Sequence, residues 1–139
     1  MSADGFIDSN VIVYLFDDTA PAKQDRAESL ILSGLDKGSC CISHQVVQET
    51  LNVATRKLNF TVEDASRLLD SILQPLWKVM PTLAMYQRSL VIRSRYQYSF
   101  YDALIIAAAL EAGCNILYSE DLQHGQVIER LTISNPFLD

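Results

Sequence analysis

The amino-acid sequence predicts an α/β fold around a central, mainly parallel sheet of about five strands. Short apolar runs alternate along the chain with longer segments whose apolar residues recur at helical spacing. Glycine and proline are scarce, at 5 and 4 of 139 residues, and no repeat or linker interrupts the alternation. Strands that alternate with helices are typical of βαβ units, in which the strands run parallel. We therefore expect one domain that spans residues 1–139.

The first half of the chain is predicted to contain two strands and three helices. Residues 5–8 form the first strand, and a short apolar helix follows it. Pro21 suits the first turn of the next helix, and Gly38 ends that helix. Residues 39–43 predict a second strand that is buried on both faces. Ser43 at the end of this strand is a suitable N-cap for the third helix.

The second half of the chain continues the alternation. Residues 61–64 have the capping-box pattern that begins a helix, and Pro75 is expected to end this helix. The third strand is predicted at residues 76–80 and the next helix at residues 83–95.

A strongly apolar helix is then predicted from a cap at Ser99 to Gly113. It is apolar on nearly every side, which indicates a central, buried helix. Residues 115–118 predict the fourth strand and residues 131–134 a short fifth strand.

The composition excludes several classes of protein. Apolar residues make up 49% of the chain, which is too many for a disordered protein. The longest apolar stretch, around residues 103–110, is too short to span a membrane, and residues 1–4 show no secretory signal. The three cysteines lack the spacing of a metal site, so we expect buried, reduced thiols in a cytoplasmic protein: Cys40, Cys41 and Cys114.

The net charge of −6 has the wrong sign for a protein that coats nucleic acid by electrostatic attraction alone. It does not exclude a nuclease, because acidic residues at a metal site are neutralised by the cations they bind.

Four carboxylates fall where a parallel sheet would bring them together. Asp8 ends the first strand and Asp121 follows the fourth, whereas Glu49 and Asp102 lie near the starts of two helices. In such sheets the ligand crevice lies outside the carboxyl ends of the strands. Each residue also has an ordinary alternative role, such as a helix cap, a turn or a solvated helix face. Their order and spacing along the chain favour a shared site.

Clustered carboxylates require a proton or a cation between them. Two ionised carboxylates about 4 Å apart repel by about 4 kcal/mol at an effective dielectric of about 20. Hard oxygen ligands favour Mg²⁺ or Mn²⁺. The four acids therefore predict a metal-dependent phosphodiesterase. In the segment after the fourth strand we expect Asp121 to face the crevice, with Ser119 as a hydroxyl neighbour, while the role of Glu120 stays open.

Arginine and tyrosine alternate between residues 88 and 101, ahead of Asp102. Arginine side chains bind phosphates, and tyrosine rings stack on unpaired bases. Arg93 and Arg95 are therefore candidate RNA contacts, together with Arg56. The alternative is a solvated helix end followed by packed tyrosines.

These residues together resemble the PIN-domain family, and in particular the VapC-type toxin ribonucleases of toxin–antitoxin pairs. The resemblance covers essentially the whole chain. The matching segments are residues 6–10, 46–49, 101–105, 118–122 and 131–137. Many relatives have threonine where this chain has Ser9 and Ser119, a change that keeps the hydroxyl group.

The resemblance implies a fold, a site and partners. The fold would be a three-layer αβα sandwich, usually dimeric. The acidic metal-binding set would be Asp8, Glu49, Asp102 and Asp121, with Asn10 and Ser119 as supporting polar residues. The implied activity is hydrolysis of an RNA phosphodiester by water that Mg²⁺ or Mn²⁺ activates. A cognate antitoxin protein would block the site.

Two other functions compete with this reading. A haloacid-dehalogenase-like phosphatase would want a second aspartate two residues after Asp8, where this chain has Asn10. A catalytically silent PIN-like scaffold would only bind RNA or protein. Acids at all four positions argue against the scaffold, because it has no reason to keep carboxylates that repel one another.

Overall fold

The computed structural model describes residues 3–138, and within them six strands form one sheet. The strands are β1 (Gly5–Ile7), β2 (Cys40–Ser43), β3 (Trp77–Val79), β4 (Ile116–Tyr118), β5 (Val127–Ile128) and β6 (Leu131–Ser134). Their order across the sheet is β3-β2-β1-β4-β6-β5, and all neighbours are parallel except β5 and β6. The predicted α/β fold with a mainly parallel sheet is confirmed.

Helices flank this sheet, in agreement with the expected αβα layers. They are α1 (Ser9–Val13), α2 (Pro21–Lys37), α3 (His44–Arg56), α4 (Val62–Leu68), α5 (Gln74–Leu76), α6 (Leu83–Tyr96) and α7 (Phe100–Glu111), with a 3₁₀ turn at Tyr14–Phe16 and a π-helical turn at Leu69–Leu73.

Side-chain caps begin several helices where the sequence predicts them. The Ser43 and Ser99 hydroxyls accept hydrogen bonds from backbone amides in the first turns of α3 and α7. Thr61 and Asp64 form a reciprocal capping box at the start of α4. Gly38 ends α2 with a φ of 63°, a left-handed conformation that glycine adopts without steric cost.

Two sequence predictions differ from the structure. Pro75 does not end its helix, because the chain continues through the π-helical turn into α5, where Pro75 lies in the first turn. Proline is tolerated there since its missing N–H needs no partner. The strand β5 was not predicted, and the strand at residues 131–134 is therefore the sixth. With two residues, β5 is too short to give a periodic signal.

The central helix α7 is buried as predicted: each residue from Ala103 to Leu110 is inaccessible or nearly so. All three cysteines are free and buried, as expected for reduced thiols. Among the helices of residues 3–138, none combines the length and the apolar character needed to cross a bilayer.

The parallel strands β1, β2 and β4 are neighbours, and their carboxyl ends therefore lie at one edge of the sheet. Asp8 follows β1, His44 begins α3 directly after β2, and Ser119 follows β4. The amide of Asp8 donates to the carbonyl of Tyr118 at 2.9 Å, which ties the ends of β1 and β4 together. This edge carries the acidic residues that the sequence singles out.

Candidate functional site

Asp8 lies at the centre of this edge and is 6% exposed. One carboxylate oxygen, Oδ1, accepts a hydrogen bond from the Ser9 amide at 2.8 Å and caps α1. The other, Oδ2, accepts from the hydroxyl of the fully buried Ser119 at 2.9 Å. Asp8 therefore caps a helix, which is the ordinary role that the sequence offers, and its side chain also contacts the residue that follows β4. Its role as a metal-site carboxylate stays a prediction.

Burial raises the pKa of Asp8 from 3.8 to about 6. The hydrogen bonds from Ser119 and Ser9 oppose this rise, while the negative charges of Glu49 and Asp121 add to it. The repulsion shows that three of the four predicted acids are close enough to interact electrostatically.

Asn10 joins the residues that follow β1 to those that follow β4. Its side-chain nitrogen Nδ2 lies 3.3 Å from Asp8 Oδ2, 3.3 Å from Ser119 Oγ and 3.2 Å from Asp121 Oδ2. Its side-chain oxygen Oδ1 accepts from the Glu120 amide at 3.1 Å. Asn10 thus bonds to the side chains of two acids and fixes the backbone between Ser119 and Asp121.

Glu49 approaches from α3 and is half-buried. Its oxygen Oε1 accepts from the Ser9 hydroxyl at 3.1 Å, and Oε2 accepts from the Gln45 amide at 3.3 Å. Glu49 therefore lies beside the first turn of α1, which Asp8 caps.

Asp102 lies in the first turn of α7, where its amide donates to Ser99 Oγ at 3.2 Å. The Gln45 side-chain amide donates to the carbonyl of Tyr101 at 3.1 Å, so the starts of α3 and α7 are in contact. Within residues 3–138, no hydrogen bond joins the Asp102 carboxylate to Asp8, Glu49 or Asp121. Of the four acids, Asp102 is the one that the structure links to the others only through its backbone neighbour.

Glu120 has a separate set of partners. Its carboxylate accepts from the Tyr14 hydroxyl at 2.7 Å and from Lys23 Nζ at 2.5 Å. Burial alone would raise the pKa of Glu120, but the hydrogen bonds from Lys23 and Tyr14 outweigh it and hold the pKa below its usual value. The role that the sequence leaves open is therefore that of an ion-paired structural residue, which leaves Asp121 to face Asp8.

The donor chemistry of the edge fits a hard divalent cation. Among residues 3–138, no lysine or arginine forms an ion pair with Asp8, Glu49, Asp102 or Asp121. In the same part of the chain, no group of three or more aspartate, glutamate, histidine or cysteine side chains is arranged so that it could hold a metal ion. Mg²⁺ usually binds one or two carboxylates and keeps several waters, so it does not require three protein ligands at one point.

The predicted basic residues lie on exposed helix ends. Arg56 is in the last turn of α3, and Arg93 and Arg95 are in the last turn of α6. Their role in binding RNA stays a prediction. A cavity of about 430 Å³ adjoins the site, and both Asp121 and Lys57 line it.

Two features of the site were not found from the sequence. The contact between Gln45 and Glu49 was not predicted, although their spacing of four residues is a signal for contact on a helix. The pairing of Lys23 and Tyr14 with Glu120 joins residues about 100 positions apart, and no local pattern reports it.

The family model described as the PIN domain matches residues 5–129, which contain all four predicted acids. A comparison with curated protein sequences gives no match.

Solved structures with a similar fold include bacterial toxins. A toxin–antitoxin complex from Klebsiella pneumoniae matches with a TM-score of 0.71 and 17% identity, over 96% of this chain and 98% of that chain. FitAcB from Neisseria gonorrhoeae matches with a TM-score of 0.65 and 17% identity, again over 96% and 98%. VapC20 from Mycobacterium tuberculosis, a toxin that cleaves the sarcin–ricin loop, gives a TM-score of 0.62 and 20% identity over 85% and 90%. Identities this low show a shared fold.

Proposed function

The chain belongs to the PIN domain family, and from this premise we propose that it is a VapC-type toxin, a single-domain endoribonuclease that requires Mg²⁺ or Mn²⁺. The observation that carries the proposal is the contact of Asn10 with Asp8, Ser119 and Asp121 at 3.2–3.3 Å. These contacts bring together residues that are more than 100 positions apart in the sequence and hold two carboxylates side by side, an arrangement that supports a shared cation.

The chain's own residues hold and orient the site in this proposal. Four acids would hold the cation: Asp8, Glu49, Asp102 and Asp121. A bound Mg²⁺ or Mn²⁺ supplies an activated water and stabilises the charge that develops on the phosphate. Ser119 fixes one oxygen of Asp8, Asn10 orients Asp8 relative to Asp121, and Ser9 orients Glu49.

No histidine is needed as a general base in this mechanism. The His44 ring packs near Trp77, with ring centroids 5.7 Å apart. The Nδ1 atom of His124 accepts from the Asn135 amide at 2.9 Å. Both histidines therefore have structural surroundings of their own.

We propose that the RNA lies across the acidic edge between the ends of α3 and α6. Arg56, Arg93 and Arg95 supply exposed cations for its phosphates. Tyr101 is 67% exposed beside Asp102, and its ring offers a surface on which an unpaired base can stack.

We further propose two protein partners. The complex from Klebsiella pneumoniae joins a toxin with an antitoxin, which supports a cognate antitoxin for this chain as well. A homodimer is supported by an apolar face on α6, where Leu83, Tyr86 and Leu90 are 74%, 41% and 59% exposed. Burying exposed apolar side chains of this size is the usual driving force of association. The proposed site of action is the cytoplasm, where RNA and antitoxin are both present.

Cleavage of purified total RNA in Mg²⁺ or Mn²⁺ tests the proposed activity. We expect cleavage by the wild type and loss of cleavage in EDTA and in the Asp102→Asn variant. The Asp70→Asn variant, which changes an exposed aspartate away from the edge, is the matched control and should cleave normally. Intact RNA with the folded wild type would contradict the nuclease and favour the catalytically silent scaffold that binds RNA or protein.

A further inference from the structure

We propose that Gln45 is a positioning residue that sets the placement of Glu49 relative to the first turn of α7. The inference rests on the proposed metal-dependent nuclease and deepens it. In this proposal Gln45 contacts neither the metal nor the RNA, and it acts only through the groups that it holds.

The contacts of Gln45 are divided between two helices. Its Nε2 donates to Glu49 Oε2 at 3.3 Å, one turn along α3, and to the Tyr101 carbonyl at 3.1 Å, in the first turn of α7. Asp102 is the next residue after Tyr101. A single amide group therefore links the side chain of one predicted acid to the backbone that carries another.

The orientation of this amide follows from the chemistry of its partners. A carboxylate oxygen and a backbone carbonyl are both acceptors, so only the NH₂ end of the Gln45 side chain can face them. The oxygen at the other side of the amide destabilises the folded state, because Gln45 Oε1 is buried and has no hydrogen-bond partner within residues 3–138.

Gln45 also completes the fixation of Glu49. The Ser9 hydroxyl bonds to Oε1 at 3.1 Å and Gln45 bonds to Oε2, so each carboxylate oxygen has one donor and the plane of the carboxylate is set. Without Gln45, Glu49 can rotate about its remaining bond to Ser9. Groups that orient metal-binding residues in this way typically change metal affinity or activity by about 10–100-fold when removed.

The test compares Gln45→Met with Gln48→Met, since Gln48 is exposed on the same helix and receives the same substitution. Mn²⁺ binding is measured by calorimetry, and RNA cleavage is titrated with Mn²⁺. For Gln45→Met we expect Mn²⁺ affinity to fall by about tenfold and kcat to fall with little change in KM for RNA. Its melting temperature without metal should stay close to that of the wild type, because removal of the unsatisfied Oε1 offsets the loss of the two hydrogen bonds. Gln48→Met should match the wild type in every measurement.

Two results would overturn the inference by itself: equal Mn²⁺ affinity for Gln45→Met and Gln48→Met, or a lower melting temperature that alone accounts for the lost activity. A wild type that neither binds Mn²⁺ nor cleaves RNA would instead overturn the proposed function together with the inference.

A double-mutant cycle gives an independent answer if Gln45→Met folds poorly. Gln45→Leu is close in size but neither donates a hydrogen bond nor adds a charge beside Glu49. Because Gln45 acts through Glu49, Gln45→Leu should weaken Mn²⁺ binding in the wild type but cause little further loss in Glu49→Gln. Additive losses would overturn the inference.

Discussion

Asp8 is nearly inaccessible to solvent and yet lies among other acids, and this combination links pH to stability at a single residue. The folded state raises its pKa from 3.8 to about 6, chiefly by burial. Between these two values the folded protein holds a proton that the unfolded chain has released. The contribution of Asp8 to the free energy of unfolding is therefore greatest below pH 3.8, and it is lost as the pH rises to about 6.

The Asp8→Asn variant tests this linkage, since asparagine cannot ionise. The shift corresponds to about 3 kcal/mol at neutral pH, so we expect Asp8→Asn to gain up to about that much free energy of unfolding at pH 7 while losing cleavage. The pH dependence between about 4 and about 6 should be shallower than in the wild type. Urea denaturation across this range, with Asp70→Asn as the control, provides the measurement. If the free energy of unfolding depends on pH in the same way for Asp8→Asn and the wild type, Asp8 carries no buried charge.

Neighbouring acids at positions 120 and 121 should respond very differently to the same kind of substitution. Asp121→Asn removes a carboxylate from the proposed metal site beside Asn10, and we expect cleavage to fall by about 100-fold or more. Glu120→Gln removes an ion pair with Lys23 and leaves the side chains of Asp8, Asn10 and Asp121 unchanged, so cleavage should stay within about threefold of the wild type. Initial rates at saturating Mn²⁺ distinguish the two. A loss in Glu120→Gln as large as that in Asp121→Asn would mean that Glu120 takes part in the site.

At the scale of the elements, α2 packs against β2 through a glycine. A Cβ atom on Gly34 would lie 2.7 Å from Cys40 Sγ and 2.8 Å from Cys40 Cβ. Gly34→Ala therefore pushes the helix away from the strand. On an exposed helix face the same change would stabilise by about 1 kcal/mol, whereas here the steric overlap should dominate.

We expect Gly34→Ala to lower the free energy of unfolding by about 1–3 kcal/mol. The control is Ser33→Ala, an exposed position on the same helix, which should be neutral or slightly stabilising. Urea denaturation of both variants compares them directly. A Gly34→Ala protein as stable as Ser33→Ala would show that α2 and β2 are less closely packed.

The elements also show where sequence reasoning succeeds. Strands β1, β2 and β4 and helix α7 were predicted because their apolar runs and caps are local patterns, as at Ser43 and Ser99. The continuation of the helix past Pro75 was missed, since a π-helical turn has no simple sequence signature. The order β3-β2-β1-β4-β6-β5 depends on pairing between strands that are far apart in the sequence, and the sequence of a single strand does not predict its neighbours.

In the candidate site too, local patterns could be predicted from the sequence and contacts between distant residues could not. The four acids could be named because they follow strands or begin helices. The closeness of Asp8 to Glu49 and Asp121 is now supported by their effect on its pKa, while the place of Asp102 in a shared metal site stays a prediction. Gln45 and Lys23 act through contacts between side chains on different elements, and such contacts follow only from the tertiary structure.

At the scale of the whole molecule, the apolar face of α6 predicts association. Leu83→Glu with Leu90→Glu places two charges on this face, and we expect the mass in solution to fall from twice 15.6 kDa to 15.6 kDa. Leu32→Glu on α2 is the control, because Leu32 is 54% exposed on another surface and should leave the dimer intact. Sedimentation velocity makes the comparison. A monomeric wild type, or a dimer that survives both charges, would rule out this interface.

The link between Asn10 and the residues after β4 also determines when the site comes into existence. Asn10 and Asp121 are 111 positions apart, and β1 gains β4 as a neighbour only after most of the chain has been made. A ribosome that is still synthesising the protein therefore carries Asp8 and Glu49 without their partner. In the proposed nuclease the metal site therefore forms only after residue 121 has been synthesised, so a chain that terminates before this residue should not cleave RNA.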